Sequence, residues 1–512
     1  MSFISILFNK SESQIKALHS EPPEFFIDLN LDQIIDAITE KWFEYNLKPF
    51  FYFHLCEINE IKYRQEVFND LESESLYKLV KLFTEKMREV HKLLKLSEKV
   101  SYKYQKEIWF LYAAEIYCQA IKNFINGLLS EPLNSRGFIS FKEFLINYSA
   151  SMDFTIIDEE ANLLKIELEK VKYHIIINQG SFTVQQYAEG IDLSNEINKI
   201  FEKFRQNPVS NYLVKYDSSP ENMNHVEAKI LEFVAQLNQN LFSRLENFYI
   251  THKGFINKNI EEFDREIHFY ISYREYIKKF IDIGLQFCSP QIVNTTKATY
   301  NIEGFDLALA QKLYEINKSI VCNNFYLKDK ERIIVVTGPN QGGKTTFARM
   351  FGQLHYLASI GCMVPGKSAR LFIFDKLFTI FEKSEKVENL RGKLEYDLTR
   401  IHYVLENSTT QSIIIINEIF NSATLYDIIF LSKKIIERIL KLDLICVCVT
   451  FLDELASFSK QTVSMTSTIV PENPALRTFK IIRQQADGLA YAMAIAEKYK
   501  LTYNQIKERI LK

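Results

Sequence analysis

The apolar positions of this chain follow three successive periods. From the start to about residue 145, Leu, Lys, Glu and aromatic residues recur at helical spacing with few glycines. Within that stretch Ile108, Trp109, Phe110, Leu111, Ala113, Ala114, Ile116 and Tyr117 leave almost no polar face, which predicts a buried helix. Around 154–190 the pattern changes, and Tyr173-His174-Ile175-Ile176-Ile177-Asn178-Gln179-Gly180-Ser181-Phe182-Thr183-Val184 reads as two β-branched strands around a glycine-containing turn. From Asn224 to about Ile283 the helical period returns. Ile230, Phe233, Val234, Leu237, Leu241 and Leu245 recur at steps of three and four and share one stripe. Lys253-Gly254 interrupts it, and Ile260, Phe263, Ile267, Tyr270 and Ile271 mark a second helix. Two long helices joined by a short break suit an antiparallel pair acting as a lever; periodicity fits a plain bundle equally well.

A looser stretch from Ser289-Pro290 to Thr299 marks a boundary, after which strands and helices alternate. Strands are expected at Ile333–Val336, Ser412–Ile416, Leu444–Val449, Thr462–Ile469 and Phe479–Ile482. Helices are expected at Thr345–Leu357, Lys393–Val404, Tyr426–Leu440 and Leu489–Lys500. The fold class is therefore multidomain α plus α/β. Residues 1–223 form a helical core with a small β-hairpin, 224–295 the long lever helices, and 296–512 an α/β domain.

Composition changes this picture little. The 512 residues are 47% hydrophobic and 25% charged, which excludes bulk disorder and leaves room for two to four domains. A formal net charge of -2 neither demands nor excludes nucleic acid, because a local basic face can hide in a neutral total. No run of about twenty apolar residues free of charge predicts a membrane span. The opening MSFISILFNKSESQ lacks the basic start and the small-residue cleavage site of a leader, so a cytoplasmic location without membrane contact is expected. The seven cysteines make no Cys-x-x-Cys pair and read as small hydrophobes, with neither zinc nor disulfides expected.

The chemistry sits in one loop. Arg332-Ile333-Ile334-Val335-Val336-Thr337 is a buried-strand pattern that runs straight into Gly338-Pro339-Asn340-Gln341-Gly342-Gly343-Lys344-Thr345-Thr346. The helix after it carries Phe347, Met350, Phe351, Leu354 and Leu357 on one side, so strand, G-x-x-x-x-G-K-[ST] and helix stand in the order a phosphate-binding loop requires. Glycines let backbone N–H groups converge on phosphate oxygens at the positive end of the helix. Lys344 is expected to reach the β- and γ-phosphates of ATP, and the Thr345 hydroxyl to ligate Mg²⁺. A second element should be an apolar strand ending in acid. Ser412-Ile413-Ile414-Ile415-Ile416-Asn417-Glu418 fits with a difference: the first position is Asn417, a neutral amide and a weaker metal ligand, while Glu418 is the candidate general base.

These residues resemble the MutS mismatch-repair family, a branch of the ABC ATPases. The likeness runs from Thr337 to Thr346, through Ile360-Gly361-Cys362-Met363-Val364-Pro365 and Asn417-Glu418-Ile419, to Asp427, Val449-Thr450 and Glu454-Leu455. Asp487-Gly488-Leu489-Ala490-Tyr491-Ala492 resembles the family's closing helix, and Ile61-Lys62-Tyr63-Arg64-Gln65-Glu66-Val67 the start of its helical lever. The resemblance implies an ABC-type P-loop ATPase domain with C-terminal dimerisation helices. It also implies a homodimer with two composite ATP sites, and nucleotide-dependent clamping on duplex or branched DNA with low specificity.

Four departures bear on turnover. They are Asn417, Phe420-Asn421-Ser422-Ala423-Thr424 in place of a glycine-rich loop, Phe451 where the family has a γ-phosphate-sensing histidine, and Leu390-Arg391-Gly392-Lys393-Leu394-Glu395 at the trans-acting segment. Lys393 is either a phosphate-facing group or a helix-start lysine. The departures imply binding better preserved than hydrolysis, or a branch of the family with its own motif set. The family's wedge-bearing mismatch-reading domain is not expected here, nor an extra nuclease module after the closing helix. Phe83-Thr84-Glu85 and Phe141-Lys142-Glu143 match the wedge tripeptide but lie in helical stretches. Tyr102-Lys103-Tyr104-Gln105-Lys106 and Tyr273-Arg274-Glu275-Tyr276-Ile277-Lys278-Lys279 interleave aromatics with base, either as DNA contacts or as amphipathic helix faces. The rival to a DNA-gripping ATPase is a nucleotide-gated protein-interaction switch with little catalysis.

Overall fold

The computed structural model describes residues 3–9, 21–178, 181–187, 223–382, 392–420, 423–470, 473–485 and 501–510. They divide into two compact units. Among the described residues no helix is long and apolar enough to cross a membrane.

The first unit comprises Met1–Phe3, Glu72–Leu133 and Ile139–Asp264. Its long helices Glu74–Lys99 and Lys103–Ser130 run side by side. They approach so closely that a Cβ on Gly127 would lie 2.4 Å from Leu79 Cδ1. The expected buried helix is the second of these, with Phe110, Leu111, Ala113, Ala114 and Tyr117 out of solvent. Phe83 stacks on Phe124 at 4.4 Å and Phe141 on Phe263 at 3.6 Å. Both wedge-like tripeptides thus place their phenylalanine in the helical core. Strands β1 (Tyr173–Asn178) and β2 (Ser181–Gln186) pair antiparallel around the anticipated turn, whose Gln179-Gly180 lies outside the described residues.

Helix His225–Leu237 opens on a capping box: Asn224 Oδ1 accepts from the Glu227 N–H, and the Asn224 N–H donates to Glu227 Oε2, each at 2.9 Å. The single stripe expected from Ile230 to Leu245 is broken. Asn238 adopts φ -119°, ψ 42°, and a new helix runs over Gln239–Thr251. The break resets the buried face, so Leu237 is exposed while Phe242, Leu245 and Phe248 are buried. Gly254, at φ 80°, makes the anticipated interruption. The next helix, Lys258–Asp282, belongs to the first unit through Asp264.

The second unit comprises Ile4–Leu71, Asn134–Phe138 and Arg265–Lys512. Residues 4–71 therefore group with Asn134–Phe138 and Arg265–Lys512, a division that does not follow chain order. The physical reason is an extended strap. Ser5 Oγ and the Ile6 N–H donate to Glu266 Oε2 at 2.7 and 2.9 Å. Tyr63 and Tyr270 hydroxyls donate to the carbonyls of Ser5 and Ile6 at 2.7 and 2.8 Å. Ile6, Leu7 and Phe8 are buried beneath these bonds.

Three sheets follow. β3 (Phe287–Cys288) pairs with β8 (Val364–Pro365). β4 (Gln291–Val293), β5 (Thr299–Gly304), β6 (Asn323–Leu327) and β9 (Ser368–Phe372) form a four-stranded sheet in the order β4-β9-β5-β6. The large sheet has β7 (Ile333–Thr337), β10 (Leu377–Phe381), β11 (Ile413–Asn417), β12 (Ile445–Val449), β13 (Thr462–Val470) and β14 (Asn473–Arg483) in the order β10-β11-β12-β7-β13-β14. Only β14 runs antiparallel. Every residue of β7 and β12 is buried, as expected for parallel strands covered on both faces, which is why they read as unbroken Ile/Val runs. Cys446 and Cys448 share the core with Ile414, Ile416 and Ile436, and all seven cysteines stand unpaired.

All five expected strands are present, and β14 is longer than Phe479–Ile482 because it extends as a hairpin with β13. The helices Lys344–Ser359, Lys393–Asn407 and Leu425–Lys441 match expectation to within a few residues. Leu489–Lys500 lies outside the described residues. The short strands β3–β6 and β8–β10 and the helix Leu307–Glu315 were not foreseen. They are brief, and they are stabilised by long-range pairing instead of local period.

Candidate nucleotide-binding site

Strand β7 delivers the chain to the carboxyl edge of the parallel sheet, where open α/β sheets hold their ligands. The turn then needs backbone that most residues avoid: Gly338 has φ 109°, Gln341 φ 60° and Gly343 φ 91°. A Cβ on Gly342 would sit 2.2 Å from Ser467 Oγ, so only glycine fits there. The Gly342 N–H donates to Pro339 O at 3.3 Å, closing the loop just before helix Lys344–Ser359 begins. The Asn340 carbonyl accepts from Arg477 Nε at 3.3 Å, tying the loop to β14. Gln341 is exposed, and Thr345 and Thr346 are half-buried in the helix's first turn.

Lys344 is 5% exposed, and its Nζ donates to Gly338 O (2.9 Å), Asn340 Oδ1 (3.2 Å) and Pro339 O (3.3 Å). Burial lowers its pKa, opposed by the Glu418 carboxylate 3.7 Å away. Thr345 Oγ1 donates to Asn417 Oδ1 at 2.9 Å, so β11 ends directly against the loop. Glu418 takes φ 50°, and its N–H donates to Val449 O at 3.0 Å, which turns its half-buried side chain toward Lys344. The Thr345 hydroxyl and Asn417 amide oxygen form a neutral pair of hard donors. They suit Mg²⁺ held mainly by a nucleotide's own phosphates.

The remaining positions are placed as follows. Thr450 is buried, its N–H bonded to Val336 O at 3.0 Å, and Phe451 beside it is 48% exposed. Phe420 is fully buried at φ 63°, whereas Asn421 and Ser422 lie outside the described residues. Thr424 caps helix Leu425–Lys441, its Oγ1 accepting from the Asp427 N–H at 3.3 Å and donating to the Asp427 carboxylate at 2.6 Å. Leu390, Arg391 and the Lys393 side chain are outside the described residues; Lys393 is the first residue of its helix.

One feature carried no motif. Beside Gly343 and Thr346 opens a cavity of about 440 Å³ walled by Phe305, Leu309, Ile320, Val321, Phe347 and Phe479. Phe479 is held at φ 58° with its carbonyl accepting from Asn323 Nδ2 at 3.2 Å. Its walls come from four separate stretches of chain, so no local spacing reveals it.

The two aromatic–basic patches are helix faces. Lys103 pairs with Glu246 at 2.6 Å, Tyr104 packs edge-on against Phe242, and Lys106 lies over the Tyr249 ring. Tyr273 and Tyr276 are buried, and Lys279, its pKa lowered by burial, donates to Gln311.

Residues 334–509 match the family model described as MutS domain V. The DNA mismatch repair protein MutS of Orientia tsutsugamushi (strain Boryong) is 28% identical over 240 residues, which is 45% of this chain and 27% of that protein. The protein of the same name from Halalkalibacterium halodurans is 33% identical over 123 residues, 24% of this chain and 14% of its own length. Over this region the chain is similar to MutS-family proteins. A second Orientia MutS (strain Ikeda) is 27% identical over 240 residues. The chain thus spans about a quarter of the length of these Orientia relatives. The matched region contains the loop and strands β11, β12, β13 and β14.

Proposed function

We propose that Gly338–Thr346 binds the phosphates of ATP, with the base in the adjoining apolar cavity, and that nucleotide state controls the grip of a homodimer on DNA in the cytoplasm. The observation that carries this reading is Lys344: a buried ammonium held by loop carbonyls at a helix N-terminus, with room for a base alongside. Gly338, Asn340, Gly342 and Gly343 shape the cradle. Lys344 draws charge from the β- and γ-phosphates, and Thr345, weakly aided by Asn417, would hold Mg²⁺, which screens the phosphate charge when bound. Glu418 orients the attacking water, next to Lys344. Composite sites, each ABC-type loop completed by the other subunit, would link two such domains.

DNA, duplex or branched, is expected to bind largely through phosphates, with low specificity. Gel-shift titrations with homoduplex, mismatched and four-way-junction DNA, with and without ATP, test this at stated salt. Phosphate release by Glu418→Ala should fall on the order of 100-fold with ATP binding retained. Equal release from the variant and wild type would remove Glu418 from the chemistry. A second reading, a nucleotide-gated protein-interaction switch, is favoured by the packing of part of both aromatic–basic patches against neighbouring residues. ATP binding without any DNA binding at low salt would select it.

A further inference from the structure

We infer that Ser467 is a positioning residue of the nucleotide site, whose hydroxyl takes over the loop carbonyls that Lys344 releases to a triphosphate. This rests on the nucleotide-binding reading above.

Ser467 is 1% exposed and stands on β13 one residue past Thr466, which is in register with Thr337 at the end of β7. It therefore lies beside Gly338, where the loop starts. Its Oγ occupies the space that side chains at two loop positions would need: a Cβ on Gly338 would be 2.9 Å away and one on Gly342 2.2 Å. Among the described residues this buried Oγ has no hydrogen-bond partner, nor do Thr337 Oγ1 and Thr466 Oγ1. A hydroxyl shut away from water without an acceptor destabilises the fold. Here it is pressed against the one backbone segment whose bonding must change.

That change concerns Lys344. Its Nζ now serves Gly338 O, Pro339 O and Asn340 Oδ1. An ammonium has three protons, and phosphate oxygens compete for them with full charge. When Lys344 turns to phosphate, the two carbonyls lose a donor in a buried setting. Pro339 O keeps the Gly342 N–H, so Gly338 O is the poorer of the two. Ser467 adjoins Gly338, and rotation about its Cβ–Oγ bond redirects its proton. No bond is made or broken covalently; one hydrogen bond is exchanged for another.

The exchange predicts effects of opposite sign in one variant. Ser467→Ala removes an unsatisfied hydroxyl, so the thermal midpoint without nucleotide should rise by a few degrees. It also removes the incoming donor, so affinity for a fluorescent ATP analogue should fall roughly 3- to 10-fold. Thr466→Val, which deletes a hydroxyl facing the other side of β13, should leave affinity unchanged. Ser467→Cys, close in volume but a weak donor, should weaken binding like the alanine variant, and serves if that one misfolds. Unchanged affinity in both Ser467 variants overturns the inference, as does a fall in affinity accompanied by a lower midpoint, which marks simple packing. Failure of the wild-type chain to bind the analogue strikes instead at the nucleotide reading itself.

Discussion

The helix Lys344–Ser359 ends differently at its two termini. At the N-terminal end the loop keeps its lysine on three replaceable acceptors, and Gly338 and Gly343 take positive φ that glycine adopts without strain. At the C-terminal end Gly361, at φ 82°, stops the helix, with its N–H and that of Cys362 bonded back to Ala358 O and Leu357 O. There Arg64, fully buried, donates to Ile360 O at 2.9 Å and to Leu7 O at 3.1 Å. Its guanidinium lies 5.0 and 5.2 Å from the rings of Phe8 and Phe269. Burial lowers its pKa, yet its charge sits where the helix dipole is negative. One end exchanges partners and the other keeps them.

The largest test breaks the fixed end. Arg64→Met fills the volume but leaves the carbonyls of Leu7 and Ile360 without their donor, and should cost roughly 3–5 kcal/mol in urea unfolding. A loss below about 1 kcal/mol would mean the strap is not anchored by Arg64.

The exchanging end should respond in the opposite way. Lys344→Ala is expected to weaken ATP binding on the order of 100-fold, since charge-assisted bonds to phosphate are the strong ones. Stability should hold or rise, because a buried ammonium is removed. A variant that binds as wild type but unfolds earlier would reverse the assignment of the two ends.

His355, inside the same helix, sharpens the comparison through pH. It is fully buried with its Nδ1 against Phe351 O at 2.9 Å, and burial pushes its pKa down from 6.5 to about 4. The unfolded chain takes up a proton that the folded chain refuses. Stability is therefore complete above pH 6.5 and drains away as pH falls toward 4, by roughly 2 kcal/mol near pH 5. His355→Phe should flatten the slope measured by urea titration at several pH values; an unaltered slope would assign it to other groups.

The smallest effect concerns the hydrolytic side. Asn417→Asp restores a carboxylate beside the Thr345 hydroxyl and should lower the Mg²⁺ concentration needed for phosphate release by about 10-fold or less. No change in Mg²⁺ dependence would mean that Asn417 lies outside the metal's reach.

How much of this was legible depended on the range of the interaction. The loop, the strands at its side and the helix after it were readable because each is a local pattern: an unbroken β-branched run, glycines at set intervals, an apolar stripe. The stripe from Ile230 to Leu245 misled because one residue, Asn238, leaves helical backbone and rotates everything after it. The wedge-like tripeptides and the aromatic–basic patches were ambiguous by themselves, since a Phe or Lys on a helix looks the same buried or free. Packing against Phe124 and Phe263 placed the tripeptide phenylalanines in the core, and contacts to Glu246 and Gln311 account for Lys103 and Lys279 of the patches.

The sequence by itself determined the chemistry of the phosphate loop, because glycine freedom, a lysine and a threonine at fixed spacing depend only on neighbours along the chain. Tertiary structure decided what surrounds it. Ser5 meets Glu266 across 261 residues and Arg64 meets Ile360 across 296, contacts that no period encodes. The cavity beside Gly343 and the hydroxyl of Ser467 beneath Gly342 likewise exist only once β13 and β14 are laid against the loop. Such contacts form when separate apolar faces are buried together, and the partner each face finds is set by the whole fold.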